Sequence, residues 1–380
     1  MKPSCTVLIH TPQELNHSSY IQTGLFELEH MGVITVKVKL SFKRNLGFLT
    51  VTKDGIITKK ERPHSKTSFY TLIDHTTNKK ITFAADLYDH APHFSGVALK
   101  ECDFYFKRNY ESRFVKGIKA EANAKVKKLG IVFGSLSENR RSRGKFKTGL
   151  FVTNLSLNLK WDRNPVKRLL KSYGFQKHHW NFTNAARTIA RFENFENATT
   201  DTIMFQTRCF LHEKDKDLQE IHQQRYRIIK LLRKNFSDTF EGGFVPSTLA
   251  KTTYGDALTN VPTQPEEYLD AMKKARIVIY TRGLANSPAW KMAEYLSQGK
   301  IIIAEPLTAE LPVPLTEGKE LLYFKTDSEL IEKIKLVLDT PALGEELSKN
   351  ARAYFETHVH PVQNTKRILE LMLNRSLEKS

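Results

Sequence analysis

Residues 275–305 read ARIVIYTRGLANSPAWKMAEYLSQGKIIIAE, and this stretch decides the fold of the C-terminal half. Two short apolar runs, Ile277–Tyr280 and Ile301–Ala304, lie in predicted buried strands at 277–280 and 300–304, on either side of a helix predicted at 288–297. Pro288 suits the first turn of a helix, where a missing N–H costs nothing, and Gly299 is typical of a helix end. The stretch therefore predicts a strand, a loop, a helix and a second strand parallel to the first.

The same alternation of strands and helices extends over the chain and predicts an α/β fold. Residues 48–58 form an exception, because Asp-Gly between apolar runs predicts a β-hairpin. We expect two Rossmann-like domains, 1–196 and 197–380, that face each other across a cleft, where ligands usually bind. The other strands are predicted at 6–10, 34–40, 69–73, 81–84, 104–106, 129–133, 202–206, 240–244 and 321–324, and the other helices at 18–31, 112–124, 217–235, 264–274, 328–338, 341–355 and 362–373.

One polar stripe crosses the predicted helix, formed by Ser287, Lys291, Glu294 and Gln298. We expect this stripe to be the side of the helix that does not pack, with Asn286 or Ser287 as N-cap. A loop that leads from a parallel strand to a helix N-terminus favours an anion. The pattern predicts a nucleotide diphosphate site in which Glu294 accepts hydrogen bonds from a ribose diol. The alternative is a surface pair of Lys291 and Glu294.

The net charge of +18 is concentrated in one part of the sequence. Residues 104–190 contain 20 Lys and Arg against 4 Asp and Glu, and the densest pieces are 138–147 and 160–171. We interpret about 138–187 as a basic insertion in the N-terminal domain. Three interpretations are open for the basic region. It is a solvated surface, it binds anionic lipid head groups or a phosphorylated acceptor, or it binds nucleic acid. Interleaved aromatic residues support the last alternative.

Several protein classes are excluded by the sequence. The longest apolar runs are far shorter than the roughly 20 residues of a membrane helix. The N-terminus lacks the apolar segment of a signal peptide, so we expect a cytoplasmic protein. Three scattered cysteines indicate neither a disulfide framework nor a zinc site.

A cluster of acids and imidazoles in the N-terminal half, ADLYDHAPHF at residues 85–94, is a candidate acceptor site. Carboxylates and histidines at a strand end can act as general base for an acceptor hydroxyl or line its pocket. A turn with satisfied side chains and a metal site are the alternatives. The candidate bases are Asp89, His90 and His10, and the candidate acceptor-binding residues are Asp86, His93, Lys107 and Arg108.

From about residue 199 to 373 the sequence resembles the donor-binding half of GT-B glycosyltransferases of the bacterial "glycosyl transferases group 1" type. The residues that carry the resemblance are ARIVI (275–279), KMAEYLSQGK (291–300), GKELLYF (318–324), LIEKI (330–334) and NARAY (350–354).

The resemblance implies that Glu294 binds the nucleotide ribose and that basic residues before it bind the diphosphate. Asn286 stands where many retaining members have a glutamate. The resemblance also implies that helix 362–373 crosses back to the N-terminal domain. The implied donor-binding residues are Arg208, Arg282, Gly283, Ser287, Lys291 and Glu294, of which Arg208 has a surface arginine as its alternative.

The expected activity is transfer of a sugar from a nucleotide-diphosphate sugar to a hydroxyl of a cell-envelope glycan, such as capsule or lipopolysaccharide, which can be lipid-linked. By resemblance the reaction needs no metal and no cofactor beyond the donor substrate. The basic region is expected to contact an anionic membrane from its cytoplasmic face. The alternatives are a nucleic-acid-binding protein that uses residues 104–190 and a polyol-phosphate transferase on the same fold.

Overall fold

A computed structural model of the chain divides it into two units, each described here by itself. The first comprises Met1–Ile189, Ala309–Pro312 and Val359–Ser380, and the second comprises Ala190–Thr308 and Val313–His358. The division falls at 189/190, seven residues before the expected boundary, and assigns 359–380 to the first unit. The structure describes residues 3–11, 13, 17–41, 45–64, 66–138, 144, 164, 170, 187–210 and 215–378.

Strands and helices alternate along most of the described chain. The strands are β1 (Cys5–Thr11), β2 (Thr35–Leu40), β3 (Leu46–Thr52), β4 (Gly55–Pro63), β5 (Thr67–Asp74), β6 (Lys80–Asp86), β7 (His93–Ser95), β8 (Phe104–Lys107), β9 (Val126–Lys128), β10 (Ile203–Thr207), β11 (Phe240–Phe244), β12 (Ile277–Tyr280), β13 (Ile301–Ala304) and β14 (Leu322–Tyr323). The helices are α1 (Ser19–His30), α2 (Gly96–Glu101), α3 (Ser112–Val115), α4 (Ala120–Asn123), α5 (Ile189–Glu193), α6 (Lys216–Asn235), α7 (Thr248–Thr253), α8 (Pro265–Lys274), α9 (Trp290–Ser297), α10 (Asp327–Asp339), α11 (Pro341–Tyr354) and α12 (Pro361–Leu373).

The first unit is built on a six-stranded sheet in the order β2-β1-β5-β6-β8-β9. Strand β5 runs antiparallel to both of its neighbours, whereas the other pairs are parallel. The sheet is therefore mixed, and the amino end of β5 lies at the edge where β1, β6 and β8 end. The predicted hairpin is present as β3 and β4, and β7 pairs with β3 in a separate three-stranded sheet.

Helices α1 and α12 pack closely against each other within the first unit. At Gly24, in the middle of α1, a Cβ atom would overlap the Thr365 hydroxyl and the Pro361 carbonyl. The Tyr20 hydroxyl donates to the Val359 carbonyl at 2.6 Å. Only a residue without a side chain permits this approach of the two helices.

The second unit is built on a five-stranded, all-parallel sheet in the order β11-β10-β12-β13-β14. Its central strands are buried throughout, which is typical of a parallel sheet covered on both faces. Residues from α6, α10 and α11 complete the core, including Ile228, Leu232, Ile334 and Leu347. The carboxyl ends of β10, β12 and β13 are adjacent at one edge, which positions the loops that follow them.

Two elements of the first unit differ from the prediction. The predicted strand at 129–133 is wrong, because the sheet ends with β9 at Val126–Lys128, and the buried apolar residues that follow continue without strand pairing. The predicted helix at 112–124 is two short helices, α3 and α4, with Gly117 between them. A Cβ at Gly117 would lie 2.6 Å from Val51 Cγ1, so the chain packs closely against β3 at this break. Across the ranges that the structure describes, no helix combines the length and the apolar character needed to traverse a bilayer.

Candidate functional site

Three loops meet at the carboxyl edge of the second unit's sheet. They begin with Arg208 after β10, Arg282 after β12 and Glu305 after β13. Because these strands are adjacent and parallel, polar side chains that follow them converge at one edge. Such an edge is the usual ligand site of an open α/β sheet.

Helix α9 begins later than predicted. It starts at Trp290 with Ala289 as N-cap, and no side chain caps it. Ser287 and Ala289 have extended backbone conformations, and the Tyr280 hydroxyl accepts a hydrogen bond from the Ala289 N–H at 2.8 Å. This contact satisfies the N-cap N–H, so the prediction of Asn286 or Ser287 as N-cap is wrong. Gly299 ends the helix with φ +49°, as predicted.

The polar stripe of this helix is packed, so the prediction that it is the open side is wrong. Ser287, Glu294 and Gln298 are 3%, 4% and 1% exposed. Buried polar side chains are retained when they have hydrogen-bond partners or a ligand to bind. The Gln298 amide, for example, donates to the Phe192 carbonyl at 3.4 Å. Exposure to bulk water therefore does not explain why these positions of the helix are polar.

The loop between β12 and α9 is tightly turned. A Cβ at Gly283 would lie 2.5 Å from the Ser287 carbonyl oxygen, so the close approach of these two residues requires glycine. Ala285 and Asn286 both have left-handed backbone conformations, with φ 53° and 57°. This conformation costs a residue with a side chain about 1–3 kcal/mol, and other contacts must hold it. The Asp217 carboxylate on α6 contributes one of them, because it accepts from the Ala285 N–H at 3.2 Å.

The side chain of Arg282 forms ion pairs with two carboxylates of α6. Its Nη1 lies 2.5 Å from Asp217 Oδ1, and its Nη2 lies 3.7 Å from Glu220 Oε2. Its main-chain N–H donates to Glu305 Oε2 at 2.7 Å. In this structure the side chain connects the loop to α6, and a contact of Arg282 with a diphosphate stays a prediction.

Arg225, on the buried face of α6, was not among the predicted site residues. It is 6% exposed, and its Nη1 and Nη2 donate to the main-chain carbonyls of Arg208 and Arg282 at 2.9 and 3.2 Å. The guanidinium carbon lies 5.2 Å from the ring centroid of Phe210. Burial, and then the charge of Arg208, lower the pKa of Arg225 to about 10, so the group is still a cation at neutral pH.

Lys291 reaches from α9 to the end of β10. Its Nζ donates to the Gln206 carbonyl at 2.5 Å and to the Tyr268 hydroxyl at 2.9 Å. Nζ also lies 4.4 Å from the centroid of the Tyr268 ring, close enough for a cation–π interaction. These contacts orient Nζ, and neither partner carries a negative charge.

The three cations Arg208, Arg225 and Lys291 influence one another. Burial is the main reason why the pKa of Lys291 falls to about 7; Glu294 opposes the shift, and Arg225 and Arg208 add to it. Arg208 itself is exposed. Within the ranges that the structure covers, none of the three has a carboxylate at ion-pair distance. Cations that lack ion-pair partners in this way favour an anionic ligand.

Arg225 could have been found from the periodicity of its helix. Residues 218, 221, 225, 228, 229 and 232 recur at helical spacing and are buried on one face. An arginine in the middle of such a face is an exception that a search for apolar residues passes over. Asp217 and Glu305 had no comparable signal, because their partners are distant in sequence.

In the first unit, Asp86 and Lys107 form a buried ion pair. Lys107 Nζ lies 2.9 Å from Asp86 Oδ2, both side chains are 0% exposed, and the Tyr105 hydroxyl donates to the same oxygen at 2.6 Å. Burial alone would raise the pKa of Asp86, but the charge of Lys107 holds it below its usual value. Because neither side chain reaches the surface, the prediction that they bind an acceptor is corrected to a role in stabilising the sheet edge.

His64, which the sequence analysis passed over, lies beside this pair. Its Nε2 is 3.8 Å from Asp86 Oδ1 and has no hydrogen-bond partner, while Nδ1 lies 2.7 Å from the Thr67 hydroxyl. Burial is the main cause of a lowered pKa for His64, which keeps the ring neutral at neutral pH.

Asp89 is held by two cations. Lys66 Nζ and Arg108 Nη1 lie 2.5 and 2.7 Å from its carboxylate oxygens. Burial opposes the shift, but Arg108 and then Lys66 keep the pKa of Asp89 well below its usual range. A carboxylate so stabilised as an anion is a weak proton acceptor, and Arg108 is committed to it. The prediction of Asp89 as general base is therefore corrected to a counter-ion.

The three histidines predicted at this edge differ in their surroundings. Burial lowers the pKa of His10 to about 4, and its Nε2 lies 2.9 Å from the Thr71 hydroxyl. Burial, with His90 and Lys107, lowers the pKa of His93 to about 3. Both rings are neutral and weakly basic at neutral pH. His90 is partly exposed, with its ring centroid 4.8 Å from that of His93.

No group of three or more potential metal ligands is present among the residues that the structure describes. The basic pieces 138–147 and 160–171 lie almost entirely outside the described residues, and so does the predicted insertion. The structure therefore describes the side chains at the two sheet edges, but not those of the basic segment.

Comparison with known proteins identifies part of the second unit. A family model described as "Glycosyl transferase-like" matches residues 243–370. A search of curated protein sequences gave no significant match. Lys291 and Glu294 lie inside the matched range, whereas Arg208 and Arg225 precede it.

Similar solved structures were also found. An alpha-glucosyltransferase in complex with UDP-glucose and DNA is 12% identical, with 50% of this chain and 57% of that chain covered and a TM-score of 0.35. The UDP-GlcNAc 2-epimerase of Neisseria meningitidis is 14% identical, with 74% and 64% covered and a TM-score of 0.37. TarM is 13% identical, with 87% and 74% covered and a TM-score of 0.32.

The chain spans less than two thirds of the first two of these structures. Because the TM-scores of these structures are below 0.5, the domain is identified by the family match alone. The family match therefore identifies a glycosyl transferase-like domain over residues 243–370 of this chain.

Proposed function

We propose that this protein transfers a sugar from a nucleotide-diphosphate sugar to a hydroxyl group of a glycan acceptor of the cell envelope. The observation that carries the proposal is the cation group Arg208, Arg225 and Lys291, which has no carboxylate partner among the described residues. These cations lie at the carboxyl edge of a parallel sheet, next to the buried Glu294. A diphosphate can form the ion pairs that these three cations do not form with the described protein.

In the proposed reaction, the bond between the anomeric carbon and the diphosphate oxygen breaks, and the acceptor oxygen forms the new bond to that carbon. Negative charge develops on the departing diphosphate, so positive groups already in place stabilise the transition state more than the ground state. Arg208 and Lys291 are the proposed contacts to the phosphates. Glu294 is the proposed acceptor of hydrogen bonds from the ribose hydroxyls.

The acceptor hydroxyl must lose a proton during the transfer. We assign its general base to His90, because Asp89 is held as an anion by two cations and His10 and His93 are too weakly basic. The assignment of the first unit to the acceptor and of the second unit to the donor is part of the same proposal.

Peripheral attachment to the inner face of an anionic membrane completes the proposal. Its support is the excess of 20 basic over 4 acidic residues between positions 104 and 190. Lysine and arginine near an anionic surface contribute about 1 kcal/mol each to such binding.

Thermal stability in the presence of UDP, GDP, ADP and CDP tests the donor site. A nucleotide at 100 times its dissociation constant stabilises a protein by about 2.7 kcal/mol, so the donor nucleotide raises the melting temperature by several degrees. Arg208→Met should remove most of the response without unfolding the protein, because Arg208 is exposed. Arg227→Met is the matched control: it removes an exposed arginine that pairs with Asp327 at 2.8 Å.

The absence of a response of the wild type to any of the four nucleotides would contradict a nucleotide-diphosphate donor. A response to CDP alone, with no sugar transfer from CDP-sugars, would favour the polyol-phosphate alternative.

A further inference from the structure

Arg225 is a buried cation that forms no ion pair with the described residues. It is 6% exposed, and no carboxylate of the described residues lies at ion-pair distance. Its Nε has no hydrogen-bond partner. The carboxylate of Glu305 favours the charged form of Arg225 from beyond ion-pair distance, and its oxygens accept hydrogen bonds from the Arg282 N–H and the Gln224 amide. A buried charge without an ion-pair partner destabilises a fold, so its presence calls for a compensating role.

The contacts of Arg225 identify that role. One guanidinium fork reaches the first residue after β10 through the Arg208 carbonyl and the second residue after β12 through the Arg282 carbonyl. Arginine suits this position because its planar group presents several donors in fixed directions. Lysine has a single nitrogen and cannot reproduce the planar fork between two loops.

Other residues of α6 support the same two loops. His222 Nε2 accepts from the Phe210 N–H at 2.9 Å, and Asp217 holds the Arg282 side chain and the Ala285 N–H. The helix thus fixes each loop separately, whereas Arg225 is the residue that joins them.

We propose that Arg225 is the positioning residue of the anion site. It fixes the loop that bears Arg208 relative to the loop between β12 and α9, so that both loops contact the same diphosphate. The inference rests on the proposed function and deepens it. Arg225 acts through the two loops and through its charge, and it is not assigned a direct contact to the substrate.

The test compares Arg225→Met, Arg225→Lys and the control Arg227→Met in calorimetric binding of two probes. One probe is the nucleoside diphosphate that stabilises the wild type, and the other is the matching nucleoside without phosphates. A positioning role for the diphosphate predicts that Arg225→Met lowers affinity for the nucleoside diphosphate by about 10- to 100-fold and leaves nucleoside affinity unchanged. Arg225→Lys, which keeps the charge and one of the two contacts, should give an intermediate loss.

Each other outcome has a definite meaning. If Arg225→Met binds the nucleoside diphosphate as the wild type does, or loses both probes in parallel, the positioning role is overturned. If Arg225→Met does not fold, as judged by circular dichroism, Arg225→Lys carries the test, and wild-type diphosphate affinity in that variant overturns the proposal. Failure of the wild type to bind any nucleoside diphosphate instead overturns the proposed function, and the inference with it.

Discussion

The two sheet edges of this protein use positive charge in opposite ways. At the edge of the first unit, Lys107 pairs with Asp86, and Lys66 and Arg108 pair with Asp89. At the edge of the second unit, Arg208, Arg225 and Lys291 have no such partners among the described residues. Both edges are rich in cations, so the number of lysines and arginines does not distinguish them.

The difference shows that the balance of charge, and not the presence of basic residues, separates a structural cluster from a candidate anion site. A paired cation is already satisfied and contributes to the fold. An unpaired cation that is partly buried is held at a cost in stability, which a bound anion can offset. Four predictions test this contrast, beginning with the largest expected effect.

Breaking the buried pair of the first unit should destabilise the protein most. Lys107→Met leaves the carboxylate of Asp86 buried without its counter-ion, which costs about 3–5 kcal/mol. The midpoint of urea denaturation measures the loss, with the exposed Lys80→Met as control. A change below about 1 kcal/mol, the range of exposed pairs, would show that the pair is not buried as described.

Removing an unpaired cation of the second unit should affect binding and not stability. Lys291→Met is expected to lower affinity for the donor nucleoside diphosphate by about 10- to 100-fold, because a charge-assisted hydrogen bond to phosphate is lost. At pH 7 its free energy of unfolding should stay within about 1 kcal/mol of the wild type, since the lost hydrogen bonds are offset by the removal of a buried charge. Calorimetry and urea denaturation measure the two quantities. Strong destabilisation with unchanged binding would show that Lys291 does not contact the nucleoside diphosphate.

The pKa of Lys291 predicts a dependence of stability on pH. Burial lowers this pKa from 10.5 to about 7 in the folded protein. Between those values the unfolded chain binds more protons at this lysine than the folded chain does, so stability contributed by this residue rises with pH. Below about pH 7 both states are protonated and the contribution is constant. The difference in unfolding free energy between wild type and Lys291→Met should therefore shift in favour of the wild type from pH 7 to 10, and a flat difference would refute the shift.

The smallest effect is expected at Arg282, the cation of the second edge that has partners. Because Asp217 and Glu220 already engage its side chain, Arg282→Met should weaken nucleoside diphosphate binding by less than about fivefold, the range of a partly exposed ion pair. The comparison with Arg208→Met in the same calorimetric assay sharpens the contrast between paired and unpaired cations. Equal losses in the two variants would show that pairing does not predict the role.

Local patterns in the sequence were sufficient to predict most of the second unit. The apolar runs of β12 and β13 and the terminating Gly299 are short-range signals, and the structure has these elements where they were predicted. The start of α9 was missed because the Tyr280 hydroxyl, nine residues earlier, satisfies the N–H that a capping side chain was expected to satisfy.

The sites were harder to predict than the elements, because pairing depends on residues that are distant in sequence. Asp86 meets Lys107 across two neighbouring strands, and Arg282 meets Asp217 over a separation of 65 residues. Nothing near Asp86 or Arg282 in the sequence indicates these partners. A single sequence therefore identifies candidate charges but not which of them remain available to a ligand.

The close packing of α12 on Gly24 has a consequence for how the protein is made. The face of α1 that carries Gly24 is covered by residues that follow the whole second unit in the sequence. During synthesis, residues 190–358 leave the ribosome before Pro361. The second unit can therefore bury its core while the first unit is still incomplete. The first unit can therefore complete its packing only after all residues of the second unit have been synthesised, although its own synthesis begins earlier.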